Sequence, residues 1–191
     1  MAGQSTRDHI VEAADQLIYH QGFEHTSFAD IAKAVKISRG NFYYHFKSKD
    51  DILHAVIEAR LEKTRKMLAE WDAESEGPEE RIHNFIHILI MNRQDIQQYG
   101  CPVGTLSAEL AKLNHPAHPE ARDIFALFRD WLARQFVALG RKSEADILAM
   151  HLLGRSQGVA TLASAFQNED FIKQEVQMMC DWLTKHIHET D

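Results

Sequence analysis

The residues best equipped for chemistry in this 191-residue chain crowd into one stretch, Thr26 to Lys49, which reads TSFADIAKAVKISRGNFYYHFKSK. Arg39 and Asn41 are the side-chain types that make bidentate contacts to guanine and adenine edges. Gly40, between them, lets backbone approach backbone. Ser38, Tyr43, Tyr44 and His45 are free for outward work, and Tyr43, Lys47 and Lys49 can reach phosphates, which position a protein without reading sequence. Charge follows the same boundary. The stretch holds five bases (Lys33, Lys36, Arg39, Lys47, Lys49) and one acid, Asp30, a net +4 within a chain of net −7. A short basic patch on an acidic body has the character of a local phosphate-binding site.

Those side chains need elements to aim them, and the pattern is helical throughout. Ile10, Ala14, Leu17 and Ile18 form an apolar stripe closed by Gly22. Phe28, Ile31, Ala32 and Val35 make a shorter stripe, capped by Thr26 or Ser27, with Asp30 near its positive end. A turn at Val35-Lys36-Ile37 leads to a third helix opened by Ser38. Ser48, with Asp51 three residues on, opens a fourth that runs from about Lys49 to Trp71. Two short helices joined by a tight turn describe a helix-turn-helix, held together by Phe28, Ile31, Ala32, Ile37 and Phe42. In that arrangement the start of the second helix enters the DNA major groove.

Beyond Gly77-Pro78 the helices lengthen. The spacing predicts one helix through Ile82–Ile90 ending before Gly100, then a short one over Pro102–Leu113. A broad-faced helix follows around Ile124–Phe136, and Gly140 stops it. The last two are a helix opened by Ser143 and reaching Phe166, and one capped by Asn168. The expected fold is all-α, with about nine helices and three short ones first.

The segment resembles the DNA-binding signature of the TetR family of bacterial regulators. Thr26, Ile31-Ala32, Ile37-Ser38, Gly40, Phe42-Tyr43, His45-Phe46 and Ser48-Lys49 stand in register, and the leading helix with Gly22-Phe23 also matches. The resemblance implies a helix-turn-helix domain over residues 5–65, its motif at about 28–47. A helical ligand-binding and dimerisation domain would occupy 66–191. The implied DNA-contacting set is Thr26, Lys36, Ser38, Arg39, Gly40, Asn41, Tyr43, Tyr44, His45, Lys47 and Lys49. One departure stands out. Family members often carry glycine where this chain has Lys36, and a left-handed lysine there costs about 1 kcal/mol relative to glycine.

The resemblance further implies a homodimer built through the last two helices. The penultimate helix offers small residues at Gly154, Gly158, Thr161 and Ala165, which permit close helix approach. The last offers an apolar row, Ile172, Val176, Met179 and Leu183. A small-molecule pocket would lie among the central helices, with Phe85, Ile86, Leu89, Cys101, Phe125, Phe128 and Trp131 as its lining, suited to an apolar or aromatic effector. Cys101, just before Pro102 at a helix start, is alternatively a thiol that senses electrophiles, since the helix dipole favours the thiolate.

Other classes fit poorly. The longest apolar run is five residues, Ile124 to Phe128, against the ~20 of a membrane helix, and the first residues lack a signal-peptide core. A soluble, cytoplasmic protein is expected. Two cysteines, Cys101 and Cys180, cannot make a disulfide scaffold. The histidine pairs His83/His87, His115/His118 and His186/His188 are two-ligand spacings that come without the set of acids and cysteines a closed metal site normally assembles nearby in sequence. No metal, cofactor or enzymatic activity is expected. The sequence therefore predicts a regulator, most simply a repressor released from operator DNA by a small molecule, or alternatively an activator.

Overall fold

Serines set the first three helix starts of the computed structural model, which describes residues 5–188. Ser5 caps α1 (Thr6–Gln21) and Ser27 caps α2 (Phe28–Val35), each in a reciprocal capping box with the acid three residues on, Asp8 and Asp30. Ser38 caps α3 (Arg39–His45), its Oγ accepting from the Asn41 N–H at 3.2 Å. Ser48 and Asp51 bond reciprocally ahead of α4 (Lys49–Glu74). Each such pairing satisfies N–H groups that a helix start leaves without partners.

Six more helices follow: α5 (Pro78–Met91), α6 (Arg93–Tyr99), α7 (Pro102–Lys112), α8 (His118–Ala138), α9 (Ala145–Phe166) and α10 (Glu169–His188). No strand occurs among the described residues. The architecture is all-α, as the periodicity predicts, with ten helices among the described residues where about nine are expected. The extra element arises at Asn92, where φ −108° and ψ 17° break the α5–α6 run that the apolar stripe alone joins into one helix. Two termini differ in detail. α4 continues three residues past Trp71, and Glu144, not Ser143, precedes α9, without a side-chain capping bond. No described helix is long and apolar enough to cross a membrane.

The chain forms two compact units, residues 5–63 with 105–124, and residues 64–104 with 125–188. The segment 105–124 thus belongs with the amino-terminal unit, where the linear reading assigns it to the second domain.

In the first unit Ile10, Ala14, Ile31, Phe42, Phe46, Leu53, Val56 and Leu110 are buried. Arg60 of α4, itself buried, places Nε 2.6 Å from Asp15 Oδ1 of α1, a charge whose low-polarity surroundings require such a partner. In the second unit one continuous core gathers Ile82 and Ile86 of α5, Trp131 and Phe136 of α8, Ala149 and Leu152 of α9, and Ile172 and Met179 of α10. Burying each large side chain stabilises the unit by about 1.5–3 kcal/mol. Ion pairs set the helix register at the rim: Arg93 with Glu169 at 2.7 Å and Arg155 with Glu175 at 3.0 Å.

Candidate nucleic-acid interface

The helix-turn-helix is built on aromatic packing. Phe42 of α3 is buried, with its ring 4.9 Å from Phe28 of α2 and 6.4 Å from Phe46. Ile31 and Ala32 complete the buried seam, while Phe28 and Ile37 are half-buried. Arg7 of α1 sits 5.1 Å over the Phe46 ring, a cation–π contact.

Lys36 makes the turn in the left-handed region, at φ 59° and ψ 40°. Its N–H donates to Lys33 O at 3.2 Å, and the Ile37 N–H reaches Ala32 O at 3.1 Å. This is the double bond pattern of a Schellman ending, normally a glycine position. The Lys36 side chain is exposed.

With Phe42 anchored inward, α3 turns Ser38, Arg39, Gly40, Asn41, Tyr43 and Tyr44 outward; Tyr43 remains 48% and Tyr44 77% exposed. The Tyr43 ring also lies 5.5 Å from the Phe28 ring in an edge-to-face arrangement. His45 is half-buried beside Tyr44. Open space surrounds the Cα of Gly40, so nothing in the chain itself requires glycine there. Lys47 is exposed but its Nζ donates to the Tyr43 carbonyl.

Two expected contacts take internal roles instead. Thr26 is buried, and its hydroxyl donates to Gly22 O at 2.7 Å, closing the α1–α2 turn. Its side chain is unavailable to a duplex. Lys49 is half-buried: its Nζ donates to Glu24 O at 3.0 Å and lies 4.3 Å from the Phe23 ring centroid. That lysine ties the start of α4 to the α1–α2 turn.

The same turn is held by residues that sequence spacing does not reveal. Glu109 of α7 accepts from the N–H groups of Phe23 and Glu24, both at 2.9 Å. His115 packs edge-on to Phe23 at 5.3 Å and places Nε2 3.5 Å from Asp50 Oδ1. His54 of α4 pairs with Glu120 of α8 at 2.7 Å. No local pattern signals these partners, because each lies more than 60 positions away in the chain.

The second unit holds the expected pocket residues within its core. Phe85, Ile86, Leu89 and Trp131 are buried, and Cys101, Phe125 and Phe128 are half-buried around them. Phe85 and Phe128 lie 5.7 Å apart, and Trp131 Nε1 donates to Asp72 Oδ1 at 3.0 Å. Cys101 Sγ lies 3.5 Å from the Gly104 N–H that donates to it.

The two halves of the expected dimer surface separate. Gly154, Gly158, Thr161 and Ala165 are exposed along α9. Ile172, Val176, Met179 and Leu183 are buried in the unit's own core, so that row packs within the chain and is not offered to a second copy. Periodicity identifies an apolar row but not whose surface covers it.

Comparison with known proteins agrees with this arrangement. Residues 10–56 match the model of the bacterial regulatory proteins of the tetR family. An HTH-type transcriptional regulator from the lacX 3' region of Lactococcus lactis subsp. lactis is 27% identical over 180 residues, covering 92% of each chain. The HTH-type transcriptional repressor DhaR of Mycobacterium sp. (strain GP1) is 26% identical over 91% of this chain and 90% of its own. A TetR transcriptional regulator of Legionella pneumophila superposes with a TM-score of 0.82 at 27% identity, covering 95% of this chain and 98% of its own. With residues 10–56 matched to the family model, relatives that span nearly the whole length and a shared fold, the chain is similar throughout to TetR-family transcriptional regulators and carries their amino-terminal domain.

Proposed function

We propose that the protein is a homodimeric, cytoplasmic repressor that grips operator DNA with one α3 from each subunit and lets go when a small molecule binds the second unit. The exposed first turn of α3, carrying Arg39 and Asn41 over a buried Phe42, is the observation that supports this reading most. Arg39 is suited to guanine and Asn41 to adenine. Lys36, Ser38, Tyr43, Tyr44 and Lys47 supply backbone contacts, which fix register without reading bases.

Dimerisation belongs to the mechanism because one short reader covers only a half-site. The exposed α9 stripe of Gly154, Gly158, Thr161 and Ala165 supports it, together with Ile147, Met150, Leu162 and Phe166 exposed on the same helix. A second subunit has both small residues to approach and apolar area to cover. The effector is expected to be apolar or aromatic, since Phe85, Phe125, Phe128 and Trp131 are among the expected lining. Release follows from differential affinity: a ligand that favours the dimer whose readers no longer match successive grooves lowers operator occupancy by that difference and no more.

Genomic fragments retained by the purified protein, once sequenced, should share a palindromic site, and a mobility shift on that site should weaken steeply as salt rises. Retention of no common sequence would exclude the reading. Reporter expression with and without the gene separates repression from activation.

A further inference from the structure

Two neighbouring histidines and a cysteine distant in sequence meet in the second unit. His83 and His87 stand one turn apart on α5, and Cys180 comes from α10. One ligand atom from each of the three lies within 4.8 Å of the others. The α5–α10 packing that unites them is the apolar core itself, with Phe85, Ile86 and Met179 buried around the contact. We propose that His83, His87 and Cys180 form a binding site for a divalent transition-metal ion of borderline softness, zinc(II) above all.

The donor set decides the class of ion. Two imidazoles and a thiolate suit zinc, cobalt or nickel, whereas magnesium and calcium require oxygen. Bonds of about 2.0–2.3 Å in a tetrahedron bring ligand atoms to roughly 3.3–3.7 Å of one another. Small side-chain rotations close the remaining gap. Histidines at i and i+4 on one helix face are the spacing from which a single ion can be held.

Hydrogen bonding pre-arranges the ligands. His87 Nδ1 lies 2.8 Å from the His83 carbonyl oxygen. A carbonyl only accepts, so the proton resides on Nδ1 and the lone pair on Nε2. A backbone carbonyl holding the second ring nitrogen is the usual outer support of a metal-bound histidine. Glu79, one turn before His83, places Oε1 3.9 Å from His83 Nε2, a carboxylate at the edge of the site that can complete the coordination sphere. Binding forms a metal–sulfur bond as the Cys180 S–H proton leaves to solvent, with no change in oxidation state.

The site goes beyond the operator-binding reading and is tested without DNA. The full-length protein, reduced and freed of metal by a chelator, is titrated with cobalt(II). One ion per chain is expected, with a thiolate-to-cobalt charge-transfer band in the near ultraviolet that zinc(II) abolishes by displacement. Cys180→Ser should remove the band. His87→Gln, at an exposed side chain, should weaken cobalt binding by about tenfold or more. Cys101→Ser should leave both unchanged. A missing band in the parent protein, a band that survives Cys180→Ser, or undiminished affinity in His87→Gln would overturn the proposal.

Discussion

Glu109 holds the backbone of Phe23: its Oε2 accepts the Phe23 N–H at 2.9 Å, while Oε1 takes the Glu24 N–H at the same distance. One carboxylate from α7 thereby secures the turn that orients α2 and α3, just past Gly22 at φ 88°. Charge-assisted bonds to paired N–H groups are stronger than neutral ones. Glu109→Ala should therefore lower unfolding free energy by about 1–2 kcal/mol, measured by urea denaturation. Amide exchange should quicken at Phe23 and Glu24 before it does in α9. Unchanged protection at both amides would show that the carboxylate is not what holds the turn.

Lys36 occupies a left-handed position that glycine adopts without a steric penalty. Lys36→Gly is expected to raise stability by about 1 kcal/mol, read as a rise in the thermal midpoint. If Lys36 contacts phosphate as proposed, it should also flatten the salt dependence of operator binding, because one positive charge is gone. Loss of stability would mean that the lysine side chain does more for the turn than its backbone conformation costs.

Gly158 is exposed on α9 with open space where a Cβ would stand. Gly158→Glu costs its own chain nothing in packing and improves helix propensity by up to about 1 kcal/mol. It places a charge where a second α9 would approach. Sedimentation should report a monomer with native helicity, and operator affinity should collapse. A stable dimer would move the interface elsewhere.

Acid should loosen the reader domain through its caps. Serine hydrogen bonds hold the Asp8, Asp30 and Asp51 carboxyls below their ordinary range; in each case the serine side chain contributes most and its backbone next. A carboxyl with a lower pKa folded than unfolded contributes stability that is complete above its ordinary pKa. That contribution disappears as pH falls through the lower, folded value. Stability should be flat near neutrality and decline below about pH 4, and Asp30→Asn should shrink the decline. A decline of the same size in Asp30→Asn would contradict the assignment to that cap.

Local signals carried the amino-terminal reading well. The Ser27/Asp30, Ser38 and Ser48/Asp51 pairings each lie within three residues, so spacing alone exposes them, and the inward set of Ile31, Ala32 and Phe42 follows the helical period. What escaped was non-local or conformational. Thr26 looks like a surface cap in sequence, yet Gly22 O draws its hydroxyl inward. Asn92 breaks a helix without the glycine or proline that would announce it. Glu109 and Cys180 find their partners only after distant helices pack. The α10 row is periodic either way, and only the folded core reveals that its own chain covers it.

Operator binding by Arg39→Ala addresses the role of α3 most directly. Isotherms at fixed salt, on the fragment the parent protein retains and on duplexes with single guanine substitutions, should show a loss of about 1–3 kcal/mol and indifference at one substituted position. Dimerisation and helicity should be intact. Full affinity together with undiminished base preference in Arg39→Ala, and equally in Asn41→Ala, would contradict the assignment of α3 as the reader.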